Sequence, residues 1–359
     1  MPHYRSIVLG FVVSAFVIGC QEKFDLSTLP QETGTTLDTS YVELFPSFVG
    51  YEGAEDIHIG RDQLLYVADT RANRVVMLNR AGQFMSAKSM LHPRSIWQDS
   101  RLDLLVGGEM ISVNGDTAGA IFRIHLVYLD PDSAHHLEKA RIDTVWRELA
   151  RPARRFPGIT GFGDNTYLAV RTGPNNTSII DPDGRVLQFD AKDKFITPLS
   201  EFATRTGSGI TDLYKPTAIA AFPNTKDFVL TQSSEGVSYG AIWMIYQTTS
   251  EFEGWVPRFD PSDPVQRSVE FIRPNRYLFA DAVAIDPQRR DVFVADAALD
   301  SVFKFNNRGT FKRESFGFAL SGERMRRPTG IAFFSTVLYV LDGQTGEILR
   351  YRLSTDIPR

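Results

Sequence analysis

Residues 282–309 read AVAIDPQRRDVFVADAALDSVFKFNNRG, and this stretch decides the fold. Ala282–Ile285 is a short apolar run, followed by a turn at Asp286-Pro287-Gln288-Arg289-Arg290. Val292–Ala295 is a second apolar run, ended by Asp296, and Val302, Phe303 and Phe305 begin a third that closes at Asn306-Asn307-Arg308-Gly309. Val, Ile and Phe suit a pleated surface, while Asp, Asn, Pro and Gly supply turn chemistry. The stretch therefore predicts three short antiparallel strands.

The same grammar returns five more times. Its second strands are Leu65–Ala68, Leu104–Val106, Tyr167–Val170, Phe228–Leu230, Val292–Ala295 and Leu338–Leu341. The residues that follow or close them, at 69, 107, 171, 231, 296 and 342, lie 38 to 65 residues apart, with the longer units in the middle. One such unit buries little alone, so neighbouring units must share a core. Antiparallel units of this length predict an all-β, six-bladed β-propeller of four-stranded blades. Near-continuous apolar second strands fit sheets covered on both faces. Tyr41–Leu44 is expected to supply the outer strand of the last blade and fasten the ends. His135–Arg151 shows both helical and alternating spacing, and we read it as the outer strand of blade 2.

The N-terminus reads as a processing segment. Arg5 precedes the apolar run Ile7–Ile18, which is short for a bilayer span, and the run ends at Val17-Ile18-Gly19-Cys20. Cys20 is the only cysteine, so no internal disulfide can form. This arrangement resembles the lipobox of bacterial lipoproteins, which implies cleavage before Cys20 and its lipidation. Gln21 after the cysteine implies sorting to the outer membrane, with the membrane itself as a partner through the anchor. The expected organisation is a signal peptide over 1–19, a lipidated cysteine and flexible tether over 20–38, and the propeller over 39–359. Net charge is −4, and loss of 1–19 removes only Arg5, so no global basic field argues for nucleic acid.

Leu65-Tyr66-Val67-Ala68-Asp69-Thr70, Asn73-Arg74-Val75 and Pro328-Thr329-Gly330-Ile331-Ala332 resemble the NHL repeat. The match is good in blades 1, 5 and 6, weak in blades 2 to 4, and spans about residues 50–355. It implies a six-bladed propeller and no single function, since such propellers serve as binding platforms, lactonases and lyases. A more distant similarity, to SMP-30 and gluconolactonase-type propellers, implies a divalent ion at the channel held by Glu, Asn and Asp. Asp281 occupies the place of that family's Asp, and Glu55 or Asp56 lies near its Glu. The Asn has no counterpart: blade 4 begins Lys215-Pro216-Thr217 and blade 3 Phe156-Pro157-Gly158. Ca²⁺ or a similar divalent ion is the cofactor that reading requires; otherwise none is expected.

The chain has six histidines, none in metal-paired spacing, and no G-x-S-x-G elbow or phosphate-binding loop. Asp69, Asp296 and Asp342 end second strands, where capping of the next turn explains them. Basic residues lead into the inner strands: Arg94, Arg154, Arg155, Lys215, Arg273, Arg276, Arg326 and Arg327. In a propeller these segments converge on one mouth of the channel, where they would focus field on an anion. The expectation is a membrane-anchored binding module that recognises an anionic small molecule, a glycan or an envelope protein. Asp56, Arg94, Lys215, Thr217, Asp281 and Arg327 are its candidate contacts. The alternative is a metal-dependent lactonase-type hydrolase using Glu55 or Asp56 together with Asp281. The long loops at 114–118, 172–180 and 233–239 are further candidate surfaces.

Overall fold

The computed structural model describes residues 39–126, 136–178, 180–199, 213–233, 239–260, 263, 265–266, 269–318 and 324–357. The signal segment, Cys20 and the tether lie outside the described residues, as do His135, Ile179 and residues 234–238. Thr39–Arg359 forms one compact unit.

The chain enters on β1 (Tyr41–Val49). Blade 1 is β2 (Asp56–Ile59), β3 (Leu65–Asp69), β4 (Arg74–Leu78) and β5 (Phe84–Ser89). Blade 2 is β6 (Ser95–Gln98), β7 (Leu104–Ile111), β8 (Thr117–His125) and β9 (Arg141–Arg147). Blade 3 is β10 (Arg155–Gly161), β11 (Tyr167–Thr172), β12 (Arg185–Phe189) and β13 (Phe195–Pro198). Blade 4 is β14 (Pro216–Ala221), β15 (Phe228–Gln232), β16 (Ala241–Thr248) and β17 (Glu253–Pro257). Blade 5 is β18 (Ala280–Ile285), β19 (Val292–Asp296), β20 (Ser301–Phe305) and the two-residue β21 (Phe316–Gly317). Blade 6 is β22 (Pro328–Phe334), β23 (Val337–Asp342) and β24 (Glu347–Leu353), with β1 as its outer strand.

All six sheets are four-stranded and antiparallel. β1 pairs with β24 from Tyr41↔Leu353 to Val49↔Glu347, with a register break between Leu44 and Phe48. The first described strand thus completes the last blade, as expected. The ambiguous segment forms β9, the outer strand of blade 2, preceded by a 3-10 turn at Leu137–Lys139.

The second strands explain why the ring closes. On β3, Leu65 and Val67 pack towards blade 6, against Ala332, Tyr339 and Ile348. Tyr66 and Ala68 alternate to the other side and pack on Ile96, Leu104 and Val106 of blade 2. Six apolar clusters, one per blade interface, repeat this arrangement round the ring. Burial of each large side chain contributes roughly 1.5–3 kcal/mol, and no blade can bury both faces alone. In the blade 4–5 interface Phe222 stacks on Trp243 at 4.8 Å, capped by Arg290 over Phe222 and Arg258 over Trp243 at 4.4 Å.

The glycine of the repeat has a packing cause. A Cβ on Gly330 would lie 3.0 Å from the backbone nitrogen of Ile57, and one on Gly158 3.0 Å from that of Ile219. Inner strands of neighbouring blades pass that closely around the channel. Side chains then tie them. Ser95 Oγ donates to the Phe156 carbonyl at 2.8 Å, Thr217 Oγ1 to that of Ala280 at 2.6 Å, and Thr329 Oγ1 to that of Ala54 at 3.0 Å.

Candidate functional site

Inner strands begin at one end of the ring, here the upper end, and finish at the lower end. Two cavities follow the axis. A cup of about 410 Å³ opens at the upper end, lined by Ala153, Pro157, Thr172, Gly173, Pro174, Lys215, Pro216, Thr217, Ser233, Phe279 and Asp281. A channel of about 510 Å³ continues below, from Asp56, Pro157, Ala218 and Ala282 to the lower turns at Arg61, Gly163, Asn224 and Pro287. Pro157 lines both.

Lys215, Thr217 and Asp281 come together in the cup. Burial pushes the Asp281 carboxyl up to about 7, with Arg327 opposing the shift and Glu55 and Asp296 adding to it. Arg327 is exposed, and it has no ion-pair partner among the described residues. Asp56 lies at the head of the channel and is also pushed up to about 7 by burial, although the Ile96 amide donates to it at 2.8 Å. It bridges blades 1 and 2. Below it, burial lowers His58 to about 4, and its Nε2 accepts the Gln98 amide at 3.2 Å. The proton of this neutral ring therefore resides on Nδ1.

Arg94 does not stand free. Its Nη1 donates to both Glu55 oxygens at 2.7 and 2.6 Å, and its Nη2 lies 3.4 Å from Glu109. Glu109 also takes Arg155 Nε at 2.7 Å and His92 Nδ1 at 3.1 Å. Burial opposes its ionisation, yet these three partners together hold it below the usual carboxylate range. Arg154 is buried and donates to Asp183 at 2.8 Å, Asp181 at 2.7 Å and Glu148 at 3.1 Å. Arg171 shares Glu148 and Asp181. Arg276 is buried under Phe311, 3.6 Å from Glu270. Of the eight basic residues that lead into inner strands, these four are neutralised or withdrawn. Lys215, Arg326 and Arg327 keep exposed side chains at the upper end, whereas Arg273 is exposed beside the 3-10 turn at Glu270–Ile272, whose Phe271 amide donates to the Gly309 carbonyl of the lower β20–β21 turn.

Asp296 and Asp342 cap as their positions predict. Asp296 Oδ1 accepts the amides of Ala298 and Leu299, and Asp342 Oδ1 those of Gln344 and Thr345. Their second oxygens accept Leu278 and Arg326 amides at 2.7 Å each, which fixes the loops leading into the next inner strand. Asp69 receives Arg74 Nε at 2.7 Å.

Among the described residues no three His, Cys, Asp or Glu side chains gather in a metal-holding group. Both Glu55 oxygens already accept from Arg94. Hard cations such as Ca²⁺ take six to eight oxygens, so the residues described here do not fit one.

Sequence reasoning missed Glu109 and the buried cluster of Glu148, Arg154, Arg171, Asp181 and Asp183. These partners lie up to 46 residues apart across blades 2 and 3, and no local spacing joins them. Their one sequence-level sign is the excess length of the blade 2 and blade 3 units.

The architecture is that of a six-bladed β-propeller, and solved structures of that fold resemble it. It is similar to a calcium-binding protein, regucalcin, from Agrobacterium tumefaciens (TM-score 0.58, 10% identity, 86% of this chain and 94% of that one). A putative gluconolactonase matches at TM-score 0.54 and 11% identity over 89% of this chain and 93% of its own. The PQQ-bound aldose sugar dehydrogenase of Streptomyces coelicolor matches at 0.55 and 11% over 88% and 99%. Likeness at such identities shows the fold alone. No family model matches the sequence, and no curated protein matches it either.

Proposed function

We propose that the protein is a binding module whose upper cup takes a small anionic molecule or the acidic end of a glycan. The observation that carries this reading is the pairing of Lys215, Thr217 and Asp281 in one cup, with the exposed cation Arg327 acting on Asp281. A carboxyl with a pKa near 7 is largely protonated in mildly acidic solution. It then adds no repulsion and can donate a hydrogen bond to an anion's oxygen. Lys215 supplies a cation beside it, while Phe279 and the three prolines give apolar wall. Few placed polar groups in a mostly apolar cavity of this volume suit a small ligand. We also propose lipidation at Cys20 and anchoring of the propeller at the bacterial outer membrane, a reading that rests on the Val17–Cys20 sequence.

Titration of residues 39–359 with D-glucuronate as probe tests the cup. The expected result is saturable binding that Lys215→Ala and Arg327→Ala each weaken at least fivefold. Unchanged affinity in both variants would exclude the cup.

A second reading, the metal-dependent lactonase, draws on the folds of regucalcin and the gluconolactonase and on the mutual charge effect of Glu55 and Asp281. It requires Arg94 to release Glu55. Calcium-dependent hydrolysis of aldonolactones, lost in Asp281→Ala, would favour it over the binding module.

A further inference from the structure

The rim of the cup is unusually apolar for a surface that faces water. Val113 is fully exposed at 105%, Ile180 at 89%, Ile111 at 65%, Leu278 at 56%, Leu149 at 53% and Phe279 at 38%. All six lie at the upper end. Ile111 and Val113 form the tip of the β7–β8 hairpin, which runs past the pairing partner of β7: Ser95↔Gly107 is the last β6 contact, and Ile111↔Thr117 closes the hairpin. Leu149 sits on the loop between β9 and β10, Ile180 on that between β11 and β12, and Leu278 and Phe279 just before β18. The same three loops line the cup through Ala153, Thr172–Pro174 and Phe279. The apolar side chains therefore surround one opening.

Exposed cations share this face. Arg147, Arg326 and Arg327 have exposed side chains and make no ion pair among the described residues. Of the acids on this face, Glu52 pairs with Arg71 and the acidic loop of blade 3 is engaged by Arg154 and Arg171, while Asp116 on the β7–β8 hairpin is exposed without an ion pair among the described residues. The charge left unpaired at the rim is mainly positive.

We propose that this rim docks on a lipid surface bearing anionic headgroups. The six side chains project from four separate segments and line no groove, so they offer a protein partner little shape to fill. A bilayer interface accepts scattered apolar side chains at one level, and anionic headgroups meet the free guanidinium groups. The cup then opens onto the lipid, and its ligand arrives along that surface. β1 enters the ring at the lower end, at Tyr41↔Leu353, so docking by the rim is separate from the point where the chain joins the propeller.

The closed ring carries all twenty-four strands within residues 39–359, so that fragment contains the whole core and is the material to test. Flotation would use vesicles of phosphatidylethanolamine with 30% phosphatidylglycerol, against pure phosphatidylcholine vesicles. The fragment is expected to float with the anionic vesicles and to be released by 0.5 M salt. Val113→Asp with Ile180→Asp, both at freely exposed positions, should lower the bound fraction at least tenfold. Phe84→Asp, at a 62% exposed position on the lower side, should leave it unchanged. Absence of wild-type binding to anionic vesicles overturns the proposal. So does equal binding by the double variant, or an equal loss in Phe84→Asp.

Discussion

Thr217 donates its hydroxyl hydrogen to the Ala280 carbonyl at 2.6 Å and lines the upper cup at the same time. One side chain thus joins inner strands β14 and β18 and faces the site they frame. Thr217→Val keeps the shape and deletes the donor, leaving a half-buried carbonyl short of a partner. The expected cost is about 1–2 kcal/mol in denaturant unfolding, with Thr217→Ser close to wild type. A loss in Thr217→Ser with none in Thr217→Val would show that the methyl group, and not the bond, matters.

The buried cluster behind the cup should be a sensitive point. Arg154 is matched by Glu148, Asp181 and Asp183, and Arg171 by two of the same acids. Removing one cation leaves buried negative charge uncompensated. Arg154→Ala should therefore destabilise the fold by about 3–5 kcal/mol, measured by chemical denaturation at pH 7. A value below about 1 kcal/mol would mean that water reaches the cluster freely.

Asp281 and Asp56 give the fold a pH dependence whose sign is opposite to that of an ordinary salt-bridged acid. Both are pushed from 3.8 to about 7 in the folded state. Between those values the folded chain holds protons that the unfolded chain has lost. Stability therefore falls as pH rises from about 4 to 7, and the loss is complete above the folded pKa. Asp281→Asn removes its share, on the order of 2–4 kcal/mol at full effect. The variant should melt at the same temperature as wild type near pH 4.5 and higher near pH 8. Parallel melting curves at both pH values would rule out the shifted carboxyl.

Ring closure by β1 predicts a length dependence. Its Phe48 is 6% exposed and packs in the blade 6–1 cluster, and Tyr41 packs edge-on against Phe293 and at a tilt against Phe316 of blade 5. Phe48→Ala should cost about 3–5 kcal/mol. A chain beginning at Gly50 leaves the β24 edge bare, and it should aggregate or lose cooperative melting. Retention of a wild-type melting temperature by that chain would contradict closure by β1.

Much of this fold is legible in the sequence because its rules are local. Leu65–Ala68 and Val292–Ala295 are apolar at every position since each faces two neighbouring blades in alternation, and Asp296 after the second of them caps its own turn. The glycine of Pro328-Thr329-Gly330 shows itself in the repeat, although its cause, the Ile57 backbone 3.0 Å away, lies 273 residues distant in the chain. The site is less legible for the same reason. Sequence places Arg94 and Glu55 at inner-strand starts but does not show that they neutralise each other. Nor does it show that Arg154 turns inward while Arg327 remains exposed. Those outcomes depend on which acids the long loops of blades 2 and 3 bring back.

The most direct test of the cup is the affinity of D-glucuronate for residues 39–359 across pH 5.5 to 8.5, in wild type and in Asp281→Asn. The account predicts binding that weakens about tenfold as Asp281 loses its proton near pH 7, and a flat profile in the variant. A wild-type profile that stays flat, or one that the variant reproduces, would contradict it.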